Sequence, residues 1–208
     1  MPYMKILCQT NIGSTIVLMD IETDDNYIKP KESFLKEIIK FTLIALIIVI
    51  PIRTYIAQPF IVSGPSMDPA FATGQYLIVD QISYYFENPQ RNEVIIFRYP
   101  FDLKTFYIKR IIGLPGETVS MEDGKVTIIN NEFPNGILIN DSFIAERHRT
   151  TETFKKILGP TEYFVMGDNR AESSDSRSWG PLEKKYIVGR PFLRLFPLSK
   201  ISVFPGKE

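Results

Sequence analysis

Two side chains in this sequence have the type and setting for covalent chemistry. Ser66 lies in Ser63-Gly64-Pro65-Ser66-Met67-Asp68-Pro69, and Lys109 follows the apolar run Phe106-Tyr107-Ile108 and opens Lys109-Arg110-Ile111-Ile112-Gly113-Leu114-Pro115-Gly116. A serine hydroxyl is a weak nucleophile at neutral pH and needs a base to take its proton. The chain holds one histidine, His148, so a histidine-based triad has a single possible base; its setting, Glu146-Arg147-His148-Arg149, predicts a surface side chain. A lysine among apolar residues is the other solution, because loss of hydration disfavours the ammonium and frees the lone pair. A free lysine titrates near about 10.4 and a base useful at neutral pH near about 7–8, a gap that burial can close. Phe106, Ile108, Ile111 and Ile112 are the candidates for the apolar wall, and strand alternation sets Tyr107 and Lys109 on one face with Ile108 on the other. Without its neighbours, Lys109 would read as a strand-end cation pointing to solvent.

The elements that must hold this pair are strands. Beyond Gln58 the apolar period changes from helical to alternating. Tyr76-Leu77-Ile78-Val79, Glu93–Tyr99, Thr105-Phe106-Tyr107-Ile108 and Glu162-Tyr163-Phe164-Val165-Met166 are short, β-branched or aromatic, and bounded by Pro, Gly, Asp or Asn. Leu114-Pro115-Gly116 fits a tight turn, and Glu122-Asp123-Gly124-Lys125 a hairpin turn between Thr118-Val119 and Val126–Ile129. The expectation is a mainly β chain whose residues 58–208 form an antiparallel all-β catalytic body with barrel-like closure or packed sheets.

Ahead of that body, Phe41–Ile52 carries no charge, and the apolar pattern continues through Ile38, Ile39 and Lys40 on one side and Arg53–Ala57 on the other. With Lys and Arg tips reaching the headgroups, this reads as a transmembrane span of roughly 20 residues, about 30 Å long, within a single membrane-anchoring helix over residues 33–57 that Pro51 bends or ends. A buried core helix is the alternative. No small-x-small site follows closely, so it does not read as a removable signal peptide. Lys29, Lys31, Lys36 and Lys40 precede the span, which predicts the N-terminus inside and the body outside. Residues 1–32 read as a polar cytoplasmic tail with an acidic cluster at Asp20–Asp25, and Met4 and Met19 are alternative starts.

Lys+Arg and Asp+Glu both number 24 in the 208 residues, and zero net charge argues against a nucleic-acid surface. Cys8 is the only cysteine, which rules out an intrachain disulfide and paired-cysteine metal sites.

Three stretches together resemble bacterial signal peptidase I, a membrane-anchored serine protease family with a Ser–Lys dyad. They are Gln58–Met67, Tyr107–Gly116, and Gly167-Asp168-Asn169-Arg170-Ala171-Glu172-Ser173-Ser174-Asp175-Ser176-Arg177-Ser178-Trp179-Gly180. The resemblance covers roughly Arg53 to Pro205. It implies Ser66 as nucleophile and Lys109 as general base, with no metal or organic cofactor. It also implies that Ser173 hydrogen-bonds and orients the amine, that Asp175 and Arg177 pair to fix the loop, and that Asp168 pairs with Arg110 or Arg177. On composition alone this third stretch reads as a solvated turn. Some family members carry a serine two positions before the nucleophile as an oxyanion donor; here Gly64 stands there, and Pro65 has no N–H. That leaves the Ser66 backbone N–H plus a backbone donor or water.

The resemblance places pocket walls for small-x-small cleavage sites at Phe60, Val62, Met67, Ile96, Tyr107 and Ile108, with the substrate extended along a strand edge near residues 60–66. The partners it implies are secretory preproteins, the lipid bilayer and a nearby protein export channel. Phe71, Tyr84, Tyr85, Phe86, Phe101 and Phe106 are candidates for a membrane-facing patch. Competing readings are a narrower Ser–Lys processing peptidase (pilin, conjugation or organelle inner-membrane type), a self-cleaving repressor, and a non-catalytic envelope scaffold. The repressor would need a helix-turn-helix where the apolar segment stands.

Overall fold

The computed structural model describes residues 34–141, 144 and 146–207, so the expected tail over 1–32 lies outside the described residues. The chain divides into two compact units, Met1–Thr42 and Leu43–Glu208. Helix α1 covers Phe34–Pro51, 18 residues with none buried, and carries Lys36, Glu37 and Lys40 in its first half. Among the described residues no helix is long and apolar enough to cross a membrane. Regular α-helix stops at Pro51, whose missing N–H breaks the ladder; Ile52–Ile56 is π-helical, and Ala57 is extended at φ −144° and ψ 120°. The segment expected to be one helix over 33–57 therefore changes geometry in its last turns, and the expected boundary at residue 58 falls inside the first strand.

Twelve strands follow among the described residues: β1 (Ala57–Ile61), β2 (Tyr76–Asp80), β3 (Val94–Tyr99), β4 (Asp102–Gly113), β5 (Thr118–Glu122), β6 (Lys125–Ile129), β7 (Ile137–Leu138), β8 (Phe154–Ile157), β9 (Glu162–Met166), β10 (Leu182–Glu183), β11 (Ile187–Phe196) and β12 (Ser202–Val203). A short helix, α2, spans Ser176–Trp179. The strands form an eight-stranded sheet in the order β1-β2-β11-β3-β4-β9-β10, with β12 beside β11, and a four-stranded sheet in the order β7-β6-β5-β8. Every pairing is antiparallel, as expected. β1 and β10 end the larger sheet at opposite edges. The barrel-like closure does not form, and the body is two open sheets.

The alternation that marks the strands also sorts their faces. In β2, Leu77 and Val79 point into the core while Tyr76, Ile78 and Asp80 are half-buried. β3 is buried from Val94 through Phe97, the mark of a strand covered on both faces. β4 runs from exposed at Asp102 to fully buried at its Arg110 end. The β5–β6 hairpin turns on Asp123 (φ 47°) and Gly124 (φ 77°), the left-handed pair that an Asp-Gly turn supplies.

Two apolar clusters fill the larger sheet, one around Ile95, Phe97, Ile111, Tyr163, Val165 and Leu182, the other around Val62, Met67, Phe71, Leu77 and Val94. A third packs the four-stranded sheet through Val119, Met121, Val126 and Ile128 against Ile112, Phe164 and Met166. Phe71, a candidate for the membrane-facing patch, is instead fully buried. Tyr85, Phe86 and Phe101 are exposed, and Tyr84 and Phe106 are half-buried.

Candidate active site

Ser66 sits on the turn that leaves β1. Hydrogen bonds from Val62 N–H to the Gln75 carbonyl (2.9 Å) and from Gly74 N–H to the Val62 carbonyl (2.9 Å) close this turn, and the Thr73 hydroxyl donates to the Gly64 carbonyl at 3.2 Å. Met67 and Phe71 nail it to the core. Gly64 takes φ 91°, a left-handed conformation, with open space where a Cβ would stand. Backbone conformation rather than room therefore favours glycine there.

Lys109 reaches the same place from β4, whose register against β3 pairs Ile95 with Lys109 and Ile96 with Ile108. Its Nζ lies 2.6 Å from Ser66 Oγ and donates to the Ile108 carbonyl at 3.0 Å. The side chain is 4% exposed. Burial pulls the ammonium down to about 8, against the opposing pull of the Asp175 and Asp168 carboxylates. The Tyr107 ring centroid stands 5.4 Å from the amine, on the same strand face.

The third stretch wraps these two segments. Asn169 N–H donates to the Ser66 carbonyl at 3.1 Å. A Cβ on Gly167 would collide with the Ser66 carbonyl oxygen and with Ser173 Oγ, so glycine is needed for this close approach. Asp168 pairs with Arg110 in a fork: Nε to Oδ1 at 2.8 Å and Nη2 to Oδ2 at 2.7 Å. Arg110 also donates to the carbonyls of Asn92 (2.9 Å) and Gly206 (2.8 Å), so this buried charge is fully engaged. Asp175 accepts from the Gly167 N–H (3.0 Å) and from Arg177 Nε (2.8 Å) and Nη2 (2.9 Å), and it caps α2 through the Arg177 N–H. Of the two partners considered for Asp168, the structure selects Arg110, and the Asp175–Arg177 pair is present.

Three expectations are corrected. Ser173 Oγ is buried with no hydrogen-bond partner among the described residues, so the expected bond to Lys109 is not made. Met67 is 1% exposed beneath the turn and belongs to the core, not to a pocket wall. His148 is buried despite its charged neighbours, with Nε2 3.4 Å from Asp68 Oδ2. Arg170 was not singled out from the sequence; it is buried and donates from Nε to the Gly167 carbonyl at 3.1 Å.

A cleft of about 280 Å³ opens beside Ser66 and Lys109. Phe60, Val62, Ile96, Tyr107 and Ile108 line it as expected, joined by Ile61, Leu77, Phe106 and Ser174. Its walls are mostly branched or aromatic and its size is small, a shape that admits short side chains. Among the described residues no group of three or more His, Cys, Asp or Glu side chains is placed to hold a metal ion.

A hydroxyl against a buried amine at the mouth of a narrow apolar cleft belongs with the serine hydrolases. Residues 35–196 match the family described as signal peptidase, peptidase S26, and the chain belongs to that family and is a serine peptidase. It is 38% identical over 183 residues to signal peptidase I P of Bacillus subtilis subsp. natto, covering 83% of this chain and 95% of that one. It is 33% identical over 174 residues to probable signal peptidase I-1 of Synechocystis sp., covering 80% and 85%. The chloroplastic thylakoidal processing peptidase 1 of Arabidopsis thaliana is 32% identical over 174 residues, covering 78% of this chain and 49% of that one.

Proposed function

We propose that this chain is a membrane-attached endopeptidase that removes N-terminal signal peptides from exported preproteins, cutting after small-x-small sequences. Ser66 is the nucleophile and Lys109 the general base. The observation that carries the reading is the 2.6 Å approach of a desolvated amine, with its pKa lowered to about 8, to a serine hydroxyl.

In this mechanism the neutral amine takes the Ser66 proton as Oγ attacks the scissile carbonyl. The developing oxyanion is met by the Ser66 backbone N–H; with Pro65 lacking an N–H and Gly64 a side chain, a further backbone donor or water completes the hole. The Lys109 ammonium then gives its proton to the leaving amine, and a water deprotonated by the same amine releases the acyl group. Arg110–Asp168 and Asp175–Arg177 hold the strand and loop that set the geometry.

The substrate lies extended along the free edge of β1, and its small side chains enter the cleft walled by Phe60, Val62, Ile96, Tyr107 and Ile108. Residues 33–57 attach the enzyme to the cytoplasmic membrane, N-terminus inside, so that the body meets preproteins emerging from the export channel. The exposed apolar side chains of α1, none of them buried, support this attachment. The test is incubation of the purified full-length chain with a secreted precursor. The parent should release the mature protein with a new N-terminus after a small-x-small sequence, and Ser66→Ala and Lys109→Met should fold and not cleave. Cleavage by either variant would overturn the assignment.

A narrower organelle-type processing peptidase is the second reading, favoured by the similarity to the thylakoidal enzyme. A panel of bacterial and organellar precursors separates the two by relative kcat/KM.

A further inference from the structure

The only histidine of the chain is buried, and its neighbours join the two segments that bracket the dyad. His148 ends the 3-10 turn Glu146–His148 and is 6% exposed. Its carbonyl accepts the Ala171 N–H at 3.0 Å, which fastens it to the loop that carries Ser173. Its Nε2 lies 3.4 Å from Asp68 Oδ2. Asp68 belongs to the nucleophile turn, two residues past Ser66, and its own N–H donates to the Pro65 carbonyl at 3.0 Å. Arg147 closes a triangle: its Nε donates to His148 Nε2 at 3.0 Å and its Nη2 to Asp68 Oδ2 at 3.5 Å.

One imidazole nitrogen either accepts from Arg147 or donates to Asp68, never both at once. With Nε2 unprotonated, Arg147 bridges histidine and carboxylate. With Nε2 protonated, the imidazole bonds the carboxylate directly. One edge of the triangle is open in either form, yet Asp68 stays tied to the Arg147–His148 pair by one of the two side chains, so the link between residues 68 and 171 persists.

We propose that His148 is a positioning residue for the peptidase reaction: with Asp68 and Arg147 it forms a strut that holds the Ser66 turn at a set distance from the Asn169–Ser174 loop. The turn already touches that loop once, through the bond from Asn169 N–H to the Ser66 carbonyl. Met67 and Phe71 hold the turn to the core beneath it, and this bond ties it to the loop at Ser66 itself. The second tie, at Asp68, holds the far side of the turn against the same loop and so sharpens the placement of Ser66 Oγ against Lys109 Nζ. Because the strut touches the cleft at no point, it governs the chemical step and leaves substrate capture alone. The inference rests on the Ser66–Lys109 reading for its kinetic consequence but not for its structural one.

The test uses the full-length chain and five forms: parent, His148→Ala, His148→Gln, Asp68→Ala, and the His148→Ala/Asp68→Ala double variant. His148→Ala and Asp68→Ala should each lower kcat about tenfold with KM within about twofold, as a displaced nucleophile does. The double variant should lose no more than the worse single one, because both cut the same tie. Hydrogen exchange at the Asn169 amide should speed up in these three variants. His148→Gln, which keeps a side-chain hydrogen-bonding group, should recover part of kcat. Asp68 is more than one-third exposed, so Asp68→Ala stays informative where His148→Ala does not fold.

Unchanged kcat in Asp68→Ala, additive losses in the double variant, or Asn169 exchange equal to the parent's would each overturn the strut. A parent that cleaves no precursor would defeat the proposed function instead, and the Asn169 exchange rates would still decide for or against the tie.

Discussion

At the scale of the residue, the account turns on an amine kept out of water. The folded chain releases the Lys109 proton near 8 where an ordinary lysine releases it near 10.5. Catalysis needs the neutral form, so kcat/KM should rise with pH through about 8 and level off above it. Between about 8 and 10.5 the folded state binds fewer protons than the unfolded state, so stability rises with pH across that window. Below about 8 the ammonium is buried at a cost. Lys109→Met should therefore be inactive yet more stable than the parent at pH 7, by on the order of 1–3 kcal/mol in chemical denaturation; a less stable variant would contradict the burial argument. The types of these two residues, their apolar flank and their motifs were legible in the sequence because each is local. The burial of His148 was not: Glu146, Arg147 and Arg149 mark a solvated segment, and its place inside comes from long-range contacts, with Asp68, 80 positions earlier in the chain, and with the Ala171 N–H. Met67 misled in the opposite way, since adjacency to the nucleophile says nothing of which side of the turn a side chain takes.

At the scale of the element, the third stretch acts as a clamp whose fit depends on one missing Cβ. Gly167→Ala should push the Ser66 carbonyl and Ser173 apart, cost about 1–3 kcal/mol or more, and reduce cleavage sharply. Thermal unfolding and precursor cleavage on one preparation would check both effects. Asp168→Ala should be worse for stability, on the order of 3–5 kcal/mol, because it strands the buried Arg110 guanidinium without its carboxylate. On composition this stretch is an ordinary polar turn, and its role appears only when β9 delivers it beside β4. Strand β11 was also hidden. Gly189 and Pro191 interrupt its pattern, yet Gly189 is where the backbone passes so close to the Asp80 carbonyl that no Cβ fits, and Pro191 lies where the pairing with β2 shifts register.

At the scale of the whole molecule, the open eight-stranded sheet leaves β1 at its edge, next to the nucleophile turn and directly after the apolar segment. Closure into a barrel, expected from the many short strands, would have covered that edge; strand count alone does not distinguish the two, because edge pairing is set by long-range register. The proposed attachment predicts that protease added outside sealed, right-side-out vesicles digests the body, and that protection of the body by such vesicles would reverse the topology. All of these features converge on the ionisation of Lys109, which can be measured directly. Carbon-13 NMR of lysine Cε, with Lys109 assigned by its loss in Lys109→Met, should show one lysine titrating near 8, apart from the rest. A Lys109 signal that titrates near 10.5 with the ordinary lysines would contradict the account.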